Sequence, residues 1–211
     1  MSLFLHQVLA IYRKDLLIEF RKPDHFLSVL LFGLLLLLLF SFGLSVEPTL
    51  MRRMAPGLFW LAILFVSILT LEHTFQAETE DGQWEGLLLA GTSPRALYLG
   101  KLLGNFSLLL VTQLTLLPLM AILYDLDLSF GLVAVLLLGG FGIAALGTSY
   151  VGLTATLKGG QTLLPLLLFP MLVPLLLAAV EMTRLTLAHD LFGQDIVWMK
   201  LLILFDIVFG L

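Results

Sequence analysis

No cysteine occurs among the 211 residues, which excludes disulfides, thiolate-bound metal, iron–sulfur ligation and covalent haem attachment through a C-x-x-C-H motif. Charge is scarce too: Asp, Glu, Lys and Arg make up only 12% of the chain, with a formal net charge of −4. No basic stripe is available to neutralise phosphates, so nucleic acid is excluded as a partner. A phosphate-cradling G-x-x-x-x-G-K-[ST] loop is also missing. The nearest fragment, "LKGGQT" from Leu157, lacks the Gly-Lys-Ser/Thr order, so this chain cannot hydrolyse ATP alone. No nucleophile–base–orienter set is apparent, and no His/Glu pair has metal-ligand spacing. The opening residues lack the basic region, short apolar core and small-residue cleavage site of a secretory signal. The first spanning segment is expected to serve as the insertion signal.

What the chain has is apolar length. Hydrophobic residues make up 60% and the mean hydropathy is +1.07, far outside the range of a water-soluble domain. Runs long enough to cross roughly 30 Å of hydrocarbon, about 20 residues each, recur along it. A backbone in lipid must satisfy its own hydrogen bonds, so each run is expected to be a helix. The expected spans are 26–44, 54–71, 102–124, 128–157, 159–180 and 196–211. The result is an all-α, single-domain protein with six transmembrane helices. The sixth is the weakest by composition because it carries Lys200 and Asp206.

Ahead of the first span, residues 1–25 read as an amphipathic interfacial helix. Leu5, Val8, Leu9, Tyr12, Leu16 and Phe20 share one face and Lys14 and Arg21 oppose it. Glu19 intrudes on the apolar face, and Pro23 turns the chain into the bilayer with Asp24 and His25 at the bend. A cytoplasmic N-terminus puts Arg13, Lys14, Arg21, Lys22, Arg95, Lys101 and Lys158 inside and Arg52, Arg53, Arg184 and Lys200 outside, which the positive-inside rule favours. Six spans then leave both termini cytoplasmic, with loop 72–101 on the same side.

Several positions within the spans carry signals. Gly140, Ala144, Thr148, Gly152 and Thr156 recur every four residues and form a ridge that lets a neighbouring backbone approach closely, in this subunit or in a dimer. Pro165, Pro170 and Pro174 interrupt the hydrogen-bond ladder of the fifth span, in a helix that is either bent for motion or rigid. Asp206 would cost about 2.5–3.5 kcal/mol if centred and unpaired, so it is expected to face another helix or the cytoplasmic mouth. Lys200 snorkels beside Trp198, and Glu181 and Arg184 are spaced for a local pair. Arg52 and Arg53 are either a surface basic pair or a contact for an acidic ligand or an acidic partner protein on the outer face.

The stretch "QAETEDGQWEGLLLAG" from Gln76 to Gly91 gathers Glu78, Glu80, Asp81 and Glu85, then places Trp84, Leu87 and Leu88 on one apolar face. Asp81 suits an N-cap, Gly91 a helix end, and Ser93-Pro94 the start of the next helix. A short helix across the bundle mouth is expected. It either seals the bundle at the headgroup level or docks a protein partner. Interfacial helices favour Lys and Arg, whereas this one would be repelled by anionic lipid, which favours a partner.

Three segments carry a family resemblance. They are "RKDLLIEFRKP" (Arg13 to Pro23), "APGLFW" (Ala55 to Trp60) and "FQAETEDGQWEGLLLAGTSP" with Phe75, Glu78, Glu80, Asp81, Gly82, Glu85, Leu87 and Pro94. Together they make the chain resemble the B subunit of the bacterial cytochrome c maturation system, a six-span haem-exporter permease. The loop is the most specific of the three. Departures are Glu78, where Asp is common, and Phe40-Ser41 in place of Phe-Pro.

The resemblance implies an ABC-2-like exporter permease of the bacterial inner membrane whose loop helix, Gly82 to Ala90, with coupling residues running from Glu78 to Leu88, docks in a groove of a separate ATPase subunit. ATP and Mg would bind there, with haem as possible cargo. It further implies a haem-handling membrane subunit, a haem chaperone and a second copy of this chain as partners. The moved species is either haem or a haem-loaded chaperone being released. An exporter of lipid-linked or drug substrates and a non-transporting scaffold remain as rivals. The family's tryptophan-rich haem signature belongs to another subunit, and no such cluster occurs here. Of His6, His25, His73 and His189, only His189 falls on the outer side, where haem would be handed on, and a lone loop histidine is more often solvated than an axial ligand.

Overall fold

The computed structural model describes residues 2–21, 23–44, 46–79, 92–154, 160–188 and 195–210. Among them are seven α-helices: α1 (Ser2–Arg21), α2 (Asp24–Gly43), α3 (Pro48–Thr79), α4 (Pro94–Tyr124), α5 (Gly131–Thr154), α6 (Gly160–Leu187) and α7 (Asp195–Gly210). Local chemistry sets the breaks. Pro23 separates α1 from α2. Ser93 caps α4 by accepting the Ala96 N–H at 3.1 Å, with Pro94 at the first helical position, where a missing N–H costs nothing. Asp125 closes α4 in the left-handed region at φ 52°.

Among the described residues, five helices are long and apolar enough to cross a membrane: α2, α3 from Pro48 to Thr74, α4, α5 from Gly131 to Tyr150, and α6 from Leu168 to Leu187. Helix α7 has 16 residues, about 24 Å at 1.5 Å per residue, which is short of a full hydrocarbon crossing. Helix α6 runs unbroken through Pro165, Pro170 and Pro174.

Both boundaries of α3 differ from the sequence reading: the helix begins at Pro48 and continues to Thr79, while α4 begins at Pro94, as Ser93-Pro94 predicts. Charges at Arg52, Arg53, Glu72 and His73 end an apolar run without ending a hydrogen-bond ladder. A charged side chain costs energy in hydrocarbon but leaves the helical backbone intact.

Helix α5 lies at the centre, packed by α3, α4, α6 and α7. Two-thirds of its spanning window is buried, as in α3, whereas only 17% is buried in α2, which lies at the periphery. The core is continuous through Leu37, Trp60, Leu71, Leu109, Leu136 and Leu172. Large apolar side chains also face outward, including Leu35, Phe42, Ile122 and Leu204. An apolar surface of that extent needs lipid to cover it.

Helix α1 packs along α4. It buries Val8 and Ile11, joins Tyr12 Oη to Ser107 Oγ at 3.1 Å, and places Asp15 3.0 Å from Lys101 Nζ. Gly100 is required here, since a Cβ on it would fall 2.7 Å from Ile11. Of the face expected to be apolar, Leu5, Leu9 and Phe20 point outward at 54%, 60% and 80% exposure. Helix α1 thus has two apolar sides, one for protein and one facing out.

Candidate functional site

Of the expected coupling segment, Glu78 falls in the last turn of α3, while Glu80, Asp81, Gly82, Trp84, Glu85, Leu87 and Leu88 lie outside the described residues. What the structure does position is the frame on either side. Helices α3 and α4, which pack together, deliver the chain into this segment and receive it back.

The second expected group lies on α5. Gly140 faces α4, where a Cβ would fall 2.9 Å from Gln113 Oε1. Ala144 is fully buried, and Thr148 accepts the Asn105 side-chain amide at 3.0 Å. Gly152 continues the helix, and Thr156 lies outside the described residues. Gly140 and Thr148 both meet residues of α4, so this stretch faces a neighbour in the same chain. Sequence reading found only one ridge. Gly139 faces Trp60, Gly142 faces Leu175 and Asp206, and Gly147 faces Leu71. Small residues in three further directions are what a helix surrounded by four neighbours requires.

Polar groups knit this centre together. Trp60, the last residue of the "APGLFW" segment, donates its indole N–H to Thr183 Oγ1 at 2.9 Å, joining α3 to α6. Tyr98 Oη donates to the Phe209 carbonyl at 3.0 Å, tying α4 to α7, and Ser149 of α5 lies 3.3 Å from the same phenol. Gln113 is completely buried, with neither amide atom hydrogen-bonded.

At the α3-start and α4-end side, Arg52 pairs with Asp125. Arg52 thus holds a carboxylate of this same chain, a pairing the sequence reading did not include. Arg184 pairs with Glu181 at 2.8 Å, as its spacing predicts. Asp206 faces another helix as expected, lying against α5 at Gly142 in an apolar groove that also involves Leu138, Phe141 and Ile203, where its Oδ1 is buried with no hydrogen-bond partner among the described residues. His189 lies outside the described residues.

One grouping was not found in the sequence. Glu19 of α1, His25 of α2 and His73 of α3 bring one ligand atom each to within 4.8 Å of one another. The His25 and His73 rings stack with centroids 3.5 Å apart and planes 10° off parallel. Glu19 Oε1 lies 3.9 Å from His25 Nδ1. Burial pushes the Glu19 carboxyl above the ordinary carboxylate range, with His73 and the backbone N–H of Phe26 pulling it back. The sequence reading singled out no His/Glu pair, whereas the fold assembles this trio from three helices.

Helical architecture, five apolar helices of crossing length and an outward apolar surface define a multi-pass membrane protein. The family described as CcmB protein matches residues 6–210, and the chain belongs to that family. It is 36% identical over 174 residues to "Heme exporter protein B" of Escherichia coli strain K12, covering 80% of this chain and 78% of the relative. Similarity to the protein of the same name from Haemophilus influenzae is 34% over 173 residues, 81% of this chain and 78% of the relative. With that of Rhodobacter capsulatus it is 32% over 177 residues, 83% and 81%.

Proposed function

We propose that this chain is the permease subunit of an ABC-type complex in the bacterial inner membrane that acts in cytochrome c maturation and moves haem or releases a haem-loaded chaperone. The observation that carries it is the family match across residues 6–210, supported by relatives named for haem export. Hydrolysis falls to a separate ATPase subunit, because the chain has no phosphate loop. Helix α7, at about 24 Å, makes the sixth crossing where the bilayer thins around it, both termini are cytoplasmic, and a second copy faces the first. The acidic segment from Glu78 to Leu88 docks on the ATPase, and closure of an ATPase pair rocks α3 and α4 through it.

Release of a haem-loaded chaperone is favoured over passage of haem through the bundle. Of the buried polar side chains, Lys101 is the one cation among the described residues, and it is engaged by Asp15 at 3.0 Å. Haem propionates are anionic and would need such partners.

Purification from the native membrane in mild detergent, followed by mass spectrometry and an ATPase assay, tests the reading. Recovery of an ABC ATPase with a haem-binding maturation subunit is expected. Recovery of the ATPase alone would reopen the substrate, including lipid-linked and drug cargo. No ATPase at all would overturn the coupling and leave a scaffold.

A further inference from the structure

We propose that Glu19, His25 and His73 form a binding site for a borderline divalent transition ion of the zinc class, which clasps α1 to the ends of α2 and α3. The three ligand atoms come from three helices and lie within 4.8 Å of one another. Zinc bonds of about 2.0–2.2 Å to nitrogen and oxygen place two ligand atoms on one ion no more than about 4.4 Å apart. Small side-chain rotations therefore bring the trio to bonding distance, and splaying the stacked rings turns their lone pairs onto a common point.

The donor set selects the ion. Two imidazoles and one carboxylate suit zinc and its neighbours and leave a position open to water. Calcium and magnesium call for oxygen ligands in larger number. Haem does not fit, because axial imidazoles approach an iron from opposite faces, whereas rings stacked 3.5 Å apart leave no room for a porphyrin between them.

Placement gives the site its role. Glu19 precedes the Pro23 break and His25 follows it, so a shared ion fixes the angle between α1 and α2. His73 lies near the end of α3, just before the chain enters the acidic segment. A bound ion would therefore hold the helix that packs on α4 against the helix that feeds that segment. This assignment stands independently of the transport reading, because binding is measured on the chain without any partner.

Full-length protein, purified in detergent with any polyhistidine tag removed, is titrated with Zn²⁺ against a chromophoric chelator. About one saturable equivalent per chain is expected. Loss of outer-shell partners already weakens metal sites about 10–100-fold, so His25→Gln and His73→Gln should each weaken binding at least ten-fold. His6→Gln should leave it unchanged. Hydrogen exchange in α1 should slow on loading in the wild type. If the histidine variants do not yield monodisperse protein, pulsed EPR of the Cu²⁺-loaded wild type reads the ligands directly, with two imidazole nitrogens expected. No saturable Zn²⁺ binding by the folded wild type, wild-type affinity in a folded His25→Gln/His73→Gln protein, or a Cu²⁺ spectrum without paired imidazoles would each overturn the assignment.

Discussion

Trp60 and Thr183 meet across the centre of the bundle, the indole N–H donating to the threonine hydroxyl at 2.9 Å. The ring lies against Gly139, where a Cβ would come within 2.3 Å of it. One tryptophan therefore fixes the mutual approach of α3, α5 and α6. Hydrogen bonds between membrane helices contribute about 0.6 kcal/mol on average, whereas truncating a buried aromatic costs about 3–5 kcal/mol in water-soluble cores. Thr183→Val should destabilise slightly and Trp60→Ala severely, read by unfolding in mixed micelles. Equal effects of the two would mean that packing around the ring is not what holds the three helices.

A rank order among glycines follows from what each faces. Gly139→Ala drives a methyl into a rigid ring, so it should cost about 1–3 kcal/mol, the range for overpacking. Gly140→Ala meets only the amide end of Gln113 at 2.9 Å, which can swing aside, so its cost should be smaller. At Gly57 nothing lies within 4 Å of an added Cβ, and Gly57→Ala should be neutral or stabilising by up to about 1 kcal/mol through helix propensity. Thermal unfolding of the three variants side by side checks the order. A Gly57 variant worse than the Gly139 variant would reverse it.

Much of this architecture is legible in the sequence because lipid imposes a simple rule: charge-free runs must be helical. Pro23 and Ser93-Pro94 mark breaks for equally local reasons. Hydropathy does not mark helix ends that carry charge, which is why Arg52 and His73 prove to be inside α3. Nor does it separate protein-facing from lipid-facing sides, since both are apolar. On α1 the face that packs is therefore marked by Ile11 and Asp15 as well as Val8, while Leu5 and Leu9 point away. Glu19, an intruder by periodicity, finds its reason in His25 and His73. Those two histidines lie on different helices, so no local pattern could pair them.

Asp15 and Lys101 link α1 to α4 at 3.0 Å with little exposure on either side chain, and Lys14 lies 3.2 Å from the same carboxylate. Contacting residues show coupling energies of about 0.5–3 kcal/mol, so a double-mutant cycle with Asp15→Asn and Lys101→Met should fall in that range. Asp15→Asn should be the more harmful single change, because it withdraws a carboxylate from two cations, whereas Lys101→Met leaves Lys14 beside Asp15. Strict additivity in stability would show that α1 is held by Val8, Ile11 and the Tyr12–Ser107 hydrogen bond without a contribution from the ion pair.

The docking role given to the acidic segment makes the sharpest functional demand. Trp84→Ala combined with Glu85→Lys removes the aromatic anchor and reverses one charge in a segment that is followed by the independently capped start of α4 at Ser93. Membrane insertion and thermal stability should therefore stay near wild type, while capture of the ATPase subunit falls at least ten-fold. Reversing a charge in an electrostatically complementary interface also acts on association rate and salt dependence, so the residual binding should be less salt-sensitive than that of the wild type. Unchanged capture at physiological salt would remove the docking assignment. A loss of capture accompanied by loss of folding would instead place the segment in the packing of α3 and α4.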